Sequence, residues 1–226
     1  MQKNSQTTRR LIDKTYDQLC RALYRGEILP GDWLRQQSIA EEYAVSQATA
    51  REALNRLVEE GLGERIPRKG VHIPVITRAD LIDIYEIRSV AEGLAWEAAA
   101  KFISKESIQA MKDLLPLTGS TADPDSVAIA RQKNMEFHMI AINASRRWTL
   151  INLLKSLLSF NNLFYLLSTT DEELRVKNGE KNIAEHKVLV GALEKGDSDL
   201  AKKLVTNHIQ SAKEDRISLH PGRISH

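Results

Sequence analysis

At 226 residues the chain is long enough for one large domain or two small ones, each with a core of its own. Its 42% hydrophobic and 27% charged residues, with only 5% aromatic, are those of an ordinary water-soluble protein rich in helix-forming side chains. A net formal charge of +2 identifies no partner by itself, a single cysteine excludes an internal disulfide, and no apolar run approaches the ~18 residues that cross a membrane.

The opening MQKNSQTTRR has no apolar core and does not read as a signal peptide, so a cytoplasmic protein with a disordered tail over residues 1–9 is expected. Ile12, Tyr16, Leu19, Cys20 and Leu23 then recur at helical spacing until Gly26, and Cys20 on that stripe reads as a reduced core thiol. LPGDWL turns the chain at Pro30–Gly31, and a short helix is expected around Ile39, Ala40 and Tyr43. After a break at AVS comes VSQATAREALNRLVEEG, residues 45–61. Ser46 suits its N-cap, Ala50, Leu54, Leu57 and Val58 form one apolar stripe, and Gly61 ends it. The opposite face carries Gln47, Arg51 and Asn55. In GERIPRKGVHIPVI, Val71, Ile73 and Val75 alternate with His72 and Pro74, which predicts a β-hairpin with Lys69–Gly70 at its turn.

From Arg78 the texture changes to helical patterns of roughly 15 to 25 residues, separated by breaks at TGSTADPD, ASRRW, STTDEE and EKGDSD. Asp123–Pro124 suits the start of a helix, and SLHPGRISH reads as a frayed end. The expected fold is mainly α, with the joint near Thr77. A winged helix-turn-helix with a small hairpin wing occupies residues 10–76, an all-α antiparallel bundle of about six helices residues 77–217, and a flexible tail residues 218–226.

A short helix, a tight break and a second capped helix form a unit whose second helix enters the DNA major groove. Gln47 matches the donor–acceptor pattern of adenine, and Arg51, one turn later, reaches guanine or a phosphate. Arg65, Arg68 and Lys69 around Gly70 make a cationic tip suited to phosphates or a minor groove. Spacing alone leaves an ordinary amphipathic helix with a solvated polar face equally open. The excess of charge is small: residues 1–76 hold 12 Lys and Arg against 10 Asp and Glu.

The wording of the segment carries more than its spacing. G-x-I-x-P-G-x-x-L, I-A-x-x-x-x-V-S, R-E-A-L-x-x-L-x-x-x-G-L and the wing P-R-K-G arrive in order across residues 10 to 76. Together they resemble the winged helix-turn-helix of the GntR family of bacterial transcription regulators. That resemblance implies operator binding as a homodimer, with an effector sensed elsewhere. It places Arg35, Gln47, Thr49 and Arg51, with Lys69 and Gly70 in the wing, at positions that touch DNA. Where the family often reads Ser-Arg-Thr-Pro-Val-Arg, this chain reads Ser46-Gln47-Ala48-Thr49-Ala50-Arg51, so an amide replaces a guanine-reading arginine and the operator sequence does not transfer.

In the second half, helical phase turns several polar groups inward. Arg88 falls on the apolar stripe of Leu81, Ile84, Tyr85, Ala91 and Ala95, and an inward guanidinium needs an anion. Glu92 at i+4 is one source and a bound carboxylate ligand another. Asn134 and His138 share a face with Val127, Ala130, Phe137 and Ala141; His186 lies with Ile183, Val190 and Leu193; His208 lies with Leu204, Val205 and Ala212. Three of six histidines thus face inward on three helices, either as hydrogen-bonded core residues or as a divalent-metal site.

I-Y-E-I-R-x-x-x-E, N-x-x-F-H, E-H-x-x-L-x-x-A-L-x-x-G-D and a later His resemble the FadR-type C-terminal domain of GntR regulators, the FCD domain. The resemblance implies a helical bundle that senses organic acids, with His138, His186 and His208 as metal ligands, Asn134 at the fourth place and Arg88 lining the pocket. Metal-binding members carry Asp where this chain has Asn134, which removes one negative charge and some affinity for a hard cation. Zinc or nickel on three imidazoles with an open position fits, as does a metal-free pocket whose histidines bond an anionic ligand. The expected function is a DNA-binding repressor-type regulator and not an enzyme. The alternatives are a metal-dependent enzyme using the three histidines and a regulator sensing the ion itself. Glu136 and Glu185, the nearest carboxylates to serve as a general base, are turned away from the histidine face by helical phase.

Overall fold

The computed structural model describes residues 2–75, 77–119, 124–166 and 172–219, with side chains described there except at 2–8, 24, 124–126, 128, 159–166, 172–175, 218 and 219. The chain forms two compact units, residues 1–76 with 159–167, and residues 77–158 with 168–226.

The first unit runs α1 (Gln2–Arg25), β1 (Trp33–Leu34), α2 (Gln36–Glu42), α3 (Gln47–Glu59), β2 (Glu64–Ile66) and β3 (Gly70–His72). Helix α1 starts at Gln2, where a disordered tail over residues 1–9 is expected; the stretch holds no Gly or Pro to stop a helix growing backward from residue 10. It ends at Gly26, whose φ of 71° lies in the left-handed region that glycine adopts without strain. Tyr16, Leu19, Cys20 and Leu23 are buried from α1, and Ala50, Leu54 and Leu57 from α3, so these two stripes build the core. Ser46 caps α3, its hydroxyl accepting from the Thr49 N–H at 3.1 Å.

The wing is a three-stranded antiparallel sheet in the order β1-β3-β2, larger than the hairpin read from sequence. Trp33 pairs with His72 and Leu34 with Val71, so the turn segment after Gly31 supplies a strand too short for alternation to reveal. Val71 and Ile73 are fully buried, but β3 ends at His72 and Val75 is 54% exposed, outside the expected alternation.

The second unit contains α4 (Arg78–Ala99), α5 (Lys105–Leu114), a 3-10 turn (Leu115–Leu117), α6 (Pro124–Ala144), α7 (Trp148–Leu166) as far as residue 158, α8 (Glu172–Glu194) and α9 (Ser198–Leu219). Thr77 and Asp80 close a capping box at the start of α4. Helix α6 begins at Pro124, ASRRW separates α6 from α7, and Gly196 at φ 67° joins α8 to α9. Most of STTDEE lies outside the described residues, as do residues 220–226 of the expected tail; α9 itself continues to Leu219. Helix α4 lies along α9, close enough that a Cβ at Gly93 would stand 2.8 Å from the Thr206 hydroxyl. Helix α6 packs on α4 and α5, and α8 on α9 and α5, so α4 and α5 complete the ring around the inward faces of α6, α8 and α9. Ala91, Ala95, Ile142, Leu154 and Leu158 form a buried cluster beside them.

Candidate nucleic-acid interface and tri-histidine site

A groove of about 540 Å³ opens between the start of α3, the start of α2 and the wing. Arg35, Gln47, Lys69 and Gly70 line it together with Gln36, Gln37, Arg65 and Arg68, so four of the six residues assigned to DNA share one cationic cleft. Arg51 stands exposed outside that lining, its Nε 3.6 Å from Glu52. Thr49 does not fit the role that the resemblance gives it. It is only 4% exposed and its hydroxyl meets that of Ser46 at 2.9 Å, so it belongs to the cap. Asn55, on the expected reading face, is held by Arg65, whose Nη2 donates to its Oδ1 at 2.6 Å, and donates in turn to Glu52 at 3.3 Å.

Gly70 contributes through what it lacks. Its φ is 115°, and a Cβ would lie 2.5 Å from the Leu34 carbonyl oxygen, so only glycine lets β3 start this close to β1. Lys69 sits 5.5 Å from the Trp33 ring centre, and that ring meets His72 at 4.8 Å. Helix α3 is anchored behind its reading face. The Tyr16 hydroxyl donates to Glu60 at 2.6 Å, and Arg56 donates to Glu60 at 3.1 Å and to Asp13 at 2.9 Å while lying over the Tyr16 ring.

In the second unit, His138, His186 and His208 each offer a ring nitrogen within 4.8 Å of the others. Their ring centres are 4.9 to 5.3 Å apart, and Phe137 stacks on His186 at 4.1 Å. His138 and His186 have no exposed surface and His208 is 6% exposed. Each Nδ1 is occupied: His138 by Glu92 at 2.7 Å, His186 by the Thr118 hydroxyl at 3.1 Å, His208 by Glu185 at 2.6 Å. Nε2 of His138 and of His186 have no hydrogen-bond partner among the described residues.

The pairing with Glu92 sets the tautomer of His138. Burial acts to raise the Glu92 carboxyl, but the charge of Arg88 and the bond to His138 outweigh it and pull it down to about 2. Glu92 is therefore an acceptor, and His138 Nδ1 donates to it. Burial lowers the His138 imidazole against the opposing pull of Glu92, and lowers His186 well below the usual value with the neighbouring rings adding to the effect. Burial is the strongest influence on the Glu185 carboxyl and acts to raise it, but the contacts with His208, Lys181 and Ser211 together outweigh it and lower it. His138 thus presents a bare Nε2 lone pair to the cluster. Buried lone pairs turned toward one another are the donor set of a divalent cation, and Nδ1–carboxylate contacts are the outer support such sites use.

Two further expectations are placed differently from the histidines. Arg88 is tied to Glu92 by Nε at 2.9 Å and Nη2 at 2.8 Å, so of the two anions open to it from sequence the i+4 carboxylate is the one it holds. Asn134 is half-buried, and its Oδ1 accepts from the Asn182 amide at 3.1 Å. Glu185, turned outward by phase on α8, nevertheless reaches across to His208 of α9. Helical phase sets Glu185 aside and gives no sign of Thr118 or Asn182, because all three act between elements.

The chain matches the family model described as bacterial regulatory proteins, gntR family, over residues 11–73, and that of the FCD domain over residues 83–211. A winged helix-turn-helix followed by an FCD-domain helical bundle defines a DNA-binding transcription regulator. The chain belongs to the GntR family, as a member with an FCD domain. It is 26% identical over 198 residues to the HTH-type transcriptional regulator YdhC of Bacillus subtilis, covering 85% of each chain. It is 24% identical over 192 residues to the HTH-type transcriptional repressor RspR of Escherichia coli, covering 83% of this chain and 80% of that one. Its fold is that of Escherichia coli McbR/YncC, with a TM-score of 0.68 at 20% identity over 92% of this chain and 97% of that one. These families are regulators, so the reading of the three histidines as an enzyme centre gives way. No helix among the described residues is long and apolar enough to cross a membrane.

Proposed function

We propose that the protein is a cytoplasmic repressor that binds operator DNA as a homodimer and releases or engages it when a small carboxylate effector reaches the tri-histidine cluster, where zinc or nickel is held by His138, His186 and His208. The observation that carries this reading is the convergence of the three rings, with two buried Nε2 atoms that have no hydrogen-bond partner among the described residues. A bound divalent cation supplies a Lewis-acidic position for a carboxylate oxygen. The protein's part is to present the three imidazoles, exclude water through burial, and orient the rings through Glu92, Thr118 and Glu185. With no carboxylate among the three, the effector brings the negative charge.

The cationic groove beside α3 supports operator binding, with Gln47 and Arg51 toward bases and Arg35 and Lys69 toward phosphates. Ile87 and Val90, 48% and 65% exposed one turn apart on α4, give a second copy an apolar strip to cover. The name of RspR supports repression as the direction of control. Effector binding favours one arrangement of the two DNA-reading units, changing their fit to half-sites about one DNA turn apart. The neutral Asn134 favours a second reading, a metal-free pocket in which the imidazoles bond the ligand directly.

Elemental analysis of the purified protein, then mobility-shift titration on a selected operator with and without chelator and with a panel of organic acids, tests these readings together. Bound zinc or nickel, with operator affinity that changes on adding an acid, supports the proposal. Effector response that survives chelation supports the metal-free pocket, and a response to the ion alone makes the ion the effector.

A further inference from the structure

We infer that Thr118, at the end of the 3-10 turn, is a positioning residue that sets the tautomer of His186 and ties Asn134 to the same turn. Thr118 has no exposed surface, and its hydroxyl has two neighbours: it donates to the Leu115 carbonyl at 3.0 Å and lies 3.1 Å from His186 Nδ1. A hydroxyl has one proton. With that proton on Leu115, the Thr118 oxygen accepts from His186, so Nδ1 carries the ring hydrogen and Nε2 offers a lone pair to the cluster. The opposite tautomer would aim an N–H among the three rings and block a cation.

The main chain of the same residue reaches the other side of the site. The Thr118 carbonyl accepts from the Asn182 amide at 3.0 Å, and that amide also donates to Asn134 Oδ1 at 3.1 Å. One residue of a short turn thus orients a histidine of α8 through its side chain and, through its backbone, holds the α8 amide of Asn182 that in turn bonds Asn134 of α6. The turn is seated firmly for this. A Cβ at Gly119 would lie 2.5 Å from the Ile183 side chain and 3.2 Å from the Gly179 carbonyl oxygen, so the turn rests directly on α8 one helical turn before His186. Carboxylates perform the equivalent task for His138 and His208. Thr118 does it without adding charge, leaving His186 the ring with no anionic partner.

The inference rests on the metal reading for its affinity arm alone. In chelator-treated full-length protein labelled with 15N-histidine, NMR should show His186 protonated at Nδ1. Thr118→Val, which keeps the shape and removes the acceptor, should move it toward the Nε2–H form, while Thr118→Ser keeps the wild-type pattern. Zinc affinity, measured by competition with a chromophoric chelator, should fall about 10- to 100-fold in Thr118→Val and recover in Thr118→Ser. His186 protonated at Nε2 in the wild type overturns the inference, as does a Thr118→Val protein with unchanged tautomer and unchanged affinity. Should Thr118→Val not fold, the wild-type and Thr118→Ser spectra decide. Should the wild type bind no zinc, the metal reading falls and the tautomer measurement still decides the role of Thr118.

Discussion

Arg88 closes on Glu92 one turn along α4, Nη2 to Oε1 at 2.8 Å, with side chains only 3% and 0% exposed. Glu92 passes the contact on to His138 through its second oxygen at 2.7 Å. A guanidinium spent on a buried carboxylate supports the bundle before it can grip a ligand. Removing one partner leaves the other charge buried and unpaired, at a cost of about 3–5 kcal/mol. Arg88→Met should therefore lower stability by that order in urea unfolding. Effector affinity measured on the protein that remains folded should change little; a large loss of affinity with wild-type stability would return Arg88 to the ligand.

Gln47 and Lys69 line the same groove but should fail differently. Loss of an amide bidentate to adenine costs about 1–3 kcal/mol at one base position, so Gln47→Ala should relax selectivity there. Lys69→Ala should weaken binding evenly across sequences and reduce the slope of log affinity against log salt by about 1. Binding isotherms at several salt concentrations, on operator and on single-base variants, separate the two.

Gly70 is required by the backbone and not by DNA. Because a Cβ there meets the Leu34 carbonyl at 2.5 Å and main chain cannot swing aside, Gly70→Ala should push β3 off β1. The expected result is faster amide exchange at Leu34 and Val71 and weaker operator binding, with the second unit's spectrum unchanged. Wild-type exchange at both amides would show the wing tolerates the methyl.

The Thr77–Asp80 box gives a pH signature. Bonds from the Thr77 hydroxyl and N–H hold the Asp80 carboxyl below its usual 3.8. A depressed folded value means that the stabilisation is present above 3.8 and is lost as pH falls through the lower folded value. The side chain is exposed, so screening keeps its worth toward the low end of about 0.3–1.5 kcal/mol. Thermal midpoints of wild type and Asp80→Ala should differ at pH 7 and converge as the pH falls below 3.8 and through the lower folded value; a constant gap would assign the effect to something other than the carboxylate.

What was legible in the sequence divides along a physical line. Periodicity exposes what one element does with its own two faces, so the buried stripes of α1 and α3, the cap at Ser46 and the inward phase of His138, His186 and His208 were readable. Contacts between elements leave no such trace. The two-residue strand Trp33–Leu34 is too short for alternation to register. Glu185 points away from the histidine face of its own helix yet meets His208 on the next. Thr118 sits in a stretch read only as loop. Thr49 was placed on DNA by its position in a motif, whereas the geometry of an N-cap turned it inward.

Asn134 is where the chain departs from the metal-binding pattern, and it provides the sharpest test of the site. Its Oδ1 is a neutral oxygen already accepting from Asn182 at 3.1 Å, so coordination of a metal would fall to the three imidazoles. A site of neutral nitrogen donors favours zinc or nickel over hard cations such as magnesium or manganese, which prefer oxygen. Asn134→Asp adds a charged oxygen on the same α6 face as His138. The Asn182 amide can bond one carboxylate oxygen and leave the other for a metal. Zinc should therefore bind more tightly, and manganese, weak in the wild type, should bind measurably by calorimetry. A variant that stays metal-free in elemental analysis and takes up neither ion would mean that the three rings do not form a metal site, and the metal-free pocket would then stand as the receptor for the acid.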